Sequence, residues 1–156
     1  MTVRTAAGSK IYIGPANETA DVEGEFSALS YTLVGEVEDL GDIGDTAGST
    51  TFTSVGDRRV RKLKTTYDAG TFTLTVGFDG SDAGQDALVA AFSSDSDYAF
   101  KVTLNDGSEG SPSSPTILYF RAKVMSKPIN IGNVENVVRR RFDIAINSEV
   151  IEVSAV

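Results

Sequence analysis

Apolar and polar residues alternate along several stretches of the sequence, which is the pattern of a β-strand with one face against a core. The clearest stretches are 71–79 (TFTLTVGFD), 98–104 (YAFKVTL) and 140–146, whereas 116–124 alternates less cleanly. Shorter candidate strands lie at 10–13, 31–38 and 150–153. The predicted core-facing residues of the three clear stretches are Phe72, Leu74, Val76, Phe78, Tyr98, Phe100, Val102, Leu104, Phe142, Ile144 and Ile146.

One helix is predicted over 82–92 (DAGQDALVAAF). Asp82 is a suitable N-cap, and Gln85 follows at the spacing of a capping box. Leu88, Ala91 and Phe92 would share one face of this helix. The sequence therefore predicts a mainly β fold: a β-sandwich or open barrel of antiparallel strands with one short flanking α-helix.

The length of 156 residues indicates a single domain, 1–156, in which 1–27 form an N-terminal arm and a first strand. Residues 39–57 (DLGDIGDTAGSTTFTSVGD) are Gly-rich and acidic and lack a clear period. We interpret them as a long inter-strand loop. Since long irregular segments in a small domain are usually functional or disordered, this loop is a candidate for assembly contacts.

Enzymatic chemistry is not expected. The chain has no cysteine and no histidine, which removes the common nucleophile–base pairs, and it contains no phosphate-binding loop. DGSDAGQD is similar to a calcium loop but lacks a third ligand and the bidentate Glu. Asp95 and Asp97 are interpreted as solvated charges before a strand. We predict no catalytic, metal-binding or cofactor-binding residue, and no apolar stretch long enough to cross a membrane.

Charge is unevenly distributed along the chain. Residues 11–57 contain no Lys or Arg, although the formal net charge is -8. A basic run, 57–65 (DRRVRKLKT), then follows. Such runs can be solvated faces or nucleic-acid patches, but no aromatics for base stacking are interleaved here. Separate acidic and basic surfaces also permit head-to-tail self-association. The predicted subunit-interface residues are Arg58, Arg59, Arg61, Lys62, Lys64, Asp39, Asp42 and Asp45.

The order of elements resembles the tail tube (major tail) proteins of long-tailed phages and related tail-like particles. The resemblance runs through 31–45 (YTLVGEVEDLGDIGD), 58–79, 82–92 and the late strands ILYFRAKV and VVRRRFDIAI. It implies a virion structural protein, assembled in the host bacterial cytoplasm, whose six-copy rings stack into a tube. Strands of all six copies would join around a lumen that DNA traverses during ejection, and the long loop would reach a neighbouring copy.

The same resemblance implies other partners: terminator, distal tail and tape measure proteins, transient non-specific contact with DNA, and no membrane. A conduit for DNA needs a wall that does not bind phosphate. Polar or small residues opposite the strong apolar faces suit such a wall, and the predicted lumen-facing residues are Thr71, Thr73, Thr75, Asp143 and Ala145. Two alternatives remain open: another tail ring protein, such as a terminator or adaptor, and a carbohydrate-binding β-sandwich, which the absence of Trp disfavours.

Overall fold

The structure is a computed structural model that describes residues 3–107 and 114–155. These residues form eleven strands and two helices. In chain order they are β1 Lys10–Ala16, α1 Glu23–Ser27, β2 Thr32–Leu33, β3 Val37–Asp39, β4 Thr46–Thr53, β5 Val60–Asp68, β6 Thr71–Gly77, α2 Ala83–Phe92, β7 Tyr98–Thr103, β8 Ile117–Ser126, β9 Ile129–Asn130, β10 Arg139–Ile146 and β11 Ile151–Val153.

Nine strands form one antiparallel sheet in the order β2-β1-β7-β8-β10-β6-β3, with β11 beside β8 and β9 beside β10. The sheet does not close into a barrel, because β2 and β3 are its two ends. The prediction of a mainly β, open antiparallel fold with a flanking helix is confirmed.

The main core lies on one face of this sheet. Phe72, Leu74 and Val76 of β6 are at most 3% exposed, as the alternation predicts, and the rings of Phe100 and Phe120 stack at 5.5 Å. Helix α2 packs across this face through buried apolar residues. Fully burying each such side chain stabilises the fold by roughly 1.5–3 kcal/mol.

The N-cap of α2 is the predicted Asp82, but Gln85 does not complete a capping box, because its side chain accepts from the Asp79 N–H rather than from the Asp82 N–H. The Asp82 carboxylate accepts a hydrogen bond from the Gln85 N–H at 2.9 Å and caps the helix. The Gln85 side chain, 3% exposed, donates to the carbonyls of Gly35 and Gly77 and accepts from the Asp79 N–H. It therefore connects α2 to the residue before β3 and to the end of β6.

A second, smaller cluster lies on the opposite face of the sheet. Helix α1 places Phe26 against Tyr119, and their rings stack at 5.7 Å beside Ala99. Tyr119 of β8 thus belongs to this cluster while the next residue, Phe120, belongs to the main core. Burial on both faces explains why β8 alternates poorly in sequence. Helix α1 was not predicted, because its five residues contain a single buried side chain.

Some predicted boundaries differ from the structure. Stretch 31–38 is two short strands, because Glu36 between them adopts a left-handed φ of 57°. Phe78 and Leu104 were predicted to face the core, but they lie just past the ends of β6 and β7 and are 46% and 37% exposed. Phe92, the last residue of α2, is likewise 39% exposed.

The segment 39–57 differs most from expectation. It is not an irregular loop, since β4 occupies Thr46–Thr53 and pairs with β5 in a separate two-stranded sheet. We call residues 46–68 the projecting ribbon. Both of its faces are exposed, so its sequence shows no apolar alternation, and this is why pattern reasoning missed it.

Candidate assembly surfaces

The projecting ribbon packs no side chain into the domain. Every residue of β5 and all but Gly48 of β4 are exposed. Its large apolar side chains are uncovered too: Phe52, Val60, Leu63 and Tyr67 are 54–71% exposed, and Val55 in the turn is fully exposed. Because a lone two-stranded hairpin is only marginally stable in water, and exposed apolar patches mark contact sites, the ribbon is a candidate assembly surface.

The register of the ribbon divides the basic run between its two faces. Lys62 pairs with Thr51 and Lys64 with Ser49 on one face, which we call the lysine face. Arg61 pairs with Phe52, and Leu63 with Thr50, on the other face, which we call the apolar face. Because its cations point in different directions, the basic run does not form one continuous positive stripe.

The turn at the tip of the ribbon is held by local hydrogen bonds. The Arg58 N–H donates to the Ser54 carbonyl at 3.2 Å, and the Arg59 N–H donates to Asp57 Oδ1 at 3.0 Å. Arg61 forms an ion pair with Asp57. Arg58 itself has a left-handed φ of 56°. Two exposed arginines are thereby presented at the tip.

The acidic residues predicted for the interface lie along and beyond the edge strand β3. Asp39 pairs with Thr75 of β6 and accepts the Gly41 N–H at 2.9 Å. Asp45 accepts the Val150 N–H at 3.3 Å and lines a cleft of about 650 Å³ at the base of the ribbon. Within the described residues, Asp39, Asp42 and Asp45 form no ion pair with the basic run of the same copy.

The residues predicted to face a lumen share one face of the sheet. Asp143 pairs with Thr73, Ala145 with Thr71, and Thr75 with Arg141, all turned away from the main core. The hydroxyls of Thr73 and Ser126 donate to Asp143 at 2.8 and 2.9 Å. These hydrogen bonds, chiefly the one from Thr73, hold the pKa of Asp143 below its ordinary value.

The predicted lumen set left out the cations on this face, among them Arg141 and Lys123. Arg141 of β10 is exposed beside Thr75, and Lys123 of β8 pairs with Ala145. The Lys123 ammonium lies 3.8 Å from the Asp97 carboxylate. The face is therefore a mixture of hydroxyls and opposite charges rather than a neutral surface.

Asp97 is not the solvated loop charge that the sequence suggested. It is 5% exposed and accepts hydrogen bonds from Arg121 at 3.1 Å and Asn147 at 3.0 Å. Arg121 also donates to the Ala20 carbonyl and to Asp21. This network fixes the N-terminal arm across the sheet. Its partners are far apart in the chain, so no local pattern signals it.

In the described ranges no helix is both long and apolar enough to traverse a bilayer. The same residues contain no group of three or more carboxylates that could hold a metal ion.

The fold is similar to that of tail components of known structure. A chain of the anti-feeding prophage baseplate, solved by cryo-EM with sixfold symmetry, matches with a TM-score of 0.71 and 11% identity over 99% of this chain and 98% of that chain. A chain of the SPP1 tail tube matches with a TM-score of 0.64 and 15% identity over 94% of this chain and 76% of that chain.

A third match comes from the sheath/tube terminator structure of the extracellular contractile injection system PVC, in the extended state. It has a TM-score of 0.68 and 8% identity over 99% of each chain. No protein-family model matches the sequence, and no curated protein matches it either. The chain thus has the fold found in tail tube and baseplate structures.

Proposed function

We propose that the protein is a structural component of a tail or tail-like particle, in which six-copy rings stack into a tube that conducts genomic DNA during ejection. The observation that carries this proposal is the projecting ribbon, which exposes both faces and five large apolar side chains in a single copy. The shared fold with the SPP1 tail tube and with a sixfold-symmetric baseplate supports it.

Ring closure would use the edge of the nine-stranded sheet. Within the described residues no strand pairs with the outer edge of β3, which itself pairs with only Thr75 and Val76 of the seven-residue β6. Farther along β6, Gly41 lies against the backbone of Thr73. An uncovered edge is a template for strand addition from another chain. Joining such edges around a ring would protect them and would make one continuous sheet around the lumen.

The basic run would contact acidic surface on a neighbouring copy. Its lysine face and tip carry cations without an ion-pair partner in the described chain, namely Arg58, Arg59, Lys62 and Lys64. The exposed carboxylates of Asp39, Asp42 and Asp45 are the complementary surface. Complementary charge favours correct register and penalises wrong pairings.

The face that carries Thr73 and Asp143 would line the lumen. Threonine hydroxyls are uncharged, and the cations of Arg141 and Lys123 lie near carboxylates, so the face has no dense array of free positive charge for phosphates. In this role the protein needs no cofactor and catalyses no reaction. Its partners are copies of itself and other tail proteins, with assembly in the host bacterial cytoplasm.

A second function is supported by the match to the sheath/tube terminator structure, which covers both chains almost completely. A terminator or adaptor would form a ring but would not stack on further copies of itself. Open-ended growth therefore distinguishes the two functions.

Sedimentation velocity over a range of protein concentrations, followed by negative-stain electron microscopy, tests the proposal. A tube protein gives hollow filaments whose length increases with concentration. A discrete ring that never lengthens would favour the terminator, and a monomer at every concentration would contradict both functions.

A further inference from the structure

A second exposed apolar surface lies at the end of the sheet opposite the projecting ribbon. We call it the apolar patch, and it is formed by the β9–β10 connection and the residues beside it. Val134 is fully exposed, and the other members are 46–67% exposed. Its residues are Phe78, Ile131, Val134 and Val137.

The strand β10 connects the two surfaces and fixes their relative positions. The ribbon joins the sheet where the Gly70 carbonyl accepts the Ile146 N–H, at the last residue of β10. The apolar patch surrounds the first residue, since Arg139 pairs with Asn130 of β9. With about 3.4 Å per residue, the eight residues of β10 separate these ends by roughly 25 Å.

The conformation of the apolar patch is held by contacts within a single copy. The Phe78 N–H donates to the Val138 carbonyl at 2.9 Å, and the Arg140 guanidinium lies 5.4 Å from the centre of the Phe78 ring. The Asn136 N–H and the Glu135 N–H both bond to Asn133 at 3.0 Å. A preformed surface loses less conformational entropy when it binds a partner.

We propose that the apolar patch is the docking surface for the apolar face of the projecting ribbon of a second copy. The ribbon face offers Phe52 and Leu63, which are 55% and 54% exposed. The inference rests on the proposed function, because it assigns the contact through which one ring would meet the next.

The opposite placement of the two surfaces identifies this occupant. A contact between two different surfaces at opposite ends of a molecule is heterologous, and it repeats without closing when copies stack along one axis. It covers both apolar surfaces of each interior copy at once. A contact of patch with patch would instead close a dimer and leave Phe52 and Leu63 in water.

Cysteine crosslinking tests this contact, because the chain has no native cysteine. The test variant carries Thr50→Cys on the apolar face of the ribbon and Val134→Cys in the apolar patch. The matched control carries Thr51→Cys, the next residue along β4 but on the lysine face, with the same Val134→Cys. Each variant is assembled in reductant, exchanged into buffer and treated with a short bismaleimide.

The test variant should give a ladder of covalent multimers on a denaturing gel, and the control should remain mostly monomeric. Filaments that yield no ladder, or equal ladders in both variants, would overturn the docking surface while leaving the tube function intact. Wild-type protein that forms no filament would instead contradict the proposed function.

Amide exchange on wild-type protein keeps the inference testable if the variants fail to assemble. Assembly should slow exchange in 129–137 and in 50–63 together. Filaments in which 129–137 exchange as fast as in the free protein would overturn the inference.

Discussion

Removing the projecting ribbon should abolish assembly without weakening the domain. The variant replaces residues 47–67 with a four-residue Gly/Asn turn, which is short enough because Thr46 and Asp68 already pair at the base of the ribbon. None of the removed side chains is buried, so the core is unchanged. The connection becomes about fivefold shorter, which lowers the entropy cost of closing it by about 1.4 kcal/mol.

For a domain of this size, 1 kcal/mol corresponds to a shift of roughly 2–4 °C in Tm. Since the ribbon's own pairing offsets part of the gain, we expect the Tm of the variant to equal that of the wild type or to exceed it by up to about 5 °C. Calorimetry measures the Tm, and sedimentation at matched concentration measures assembly. A Tm lowered by several degrees would show that the ribbon supports the core, and filaments of normal length would show that assembly does not need it.

Four further predictions concern substitutions of one to three side chains. Replacing the three arginines of the basic run with Glu should leave the circular dichroism spectrum unchanged. It should prevent sedimenting assemblies, because like charges across an interface cost several kcal/mol. Assembly as in wild type would exclude a contact between the basic run and the acidic surface of a neighbouring copy. Gln85→Leu leaves two part-buried carbonyls and one part-buried N–H without their partner and should lower the free energy of unfolding by about 1–3 kcal/mol, measured in urea. A loss below about 1 kcal/mol would contradict the network. Hydrogen bonds lower the folded-state pKa of Asp143, so its ionised carboxylate stabilises the folded protein above the ordinary pKa of 3.8. This stabilisation is lost as pH falls through the folded-state pKa. Asp143→Asn should therefore be less stable than wild type at pH 7, and the two stabilities should converge in acid. Thr73→Lys with Thr75→Lys should slow DNA release from particles at low salt and recover at high salt, whereas normal release at low salt would show that this face does not meet DNA.

Sequence periodicity predicted the elements with one buried face. Strands β6 and β10 alternate because a single side of each meets a core, and α2 follows from the cap at Asp82 and the buried Leu88. Strand β7 still alternates, because the residue it buries on its other side is the small Ala99. The prediction failed where burial was two-sided or absent. Strand β8 packs on both faces, and the projecting ribbon packs on no face, so the sequences of both lack a clean alternation of apolar and polar residues.

The candidate surfaces were predicted only in part. The basic run was recognised from charge alone, but its division between two faces of the ribbon depends on the register of β4 against β5. The alternation predicted that Thr73 and Asp143 both point away from the core; their mutual hydrogen bond depends on strand order. The role of Asp97 depends on Arg121, which reaches it only after β7 and β8 pair. Contacts between distant parts of the chain are not encoded in any local pattern.

Cryo-EM of filaments grown from the purified wild-type protein tests the central claim most directly. The map should show a hollow tube of stacked six-copy rings, with the face of Thr73 and Asp143 toward the lumen and each projecting ribbon ordered against a neighbouring copy. A single closed ring, a filament without a lumen, or ribbons left free of any neighbour would contradict the account.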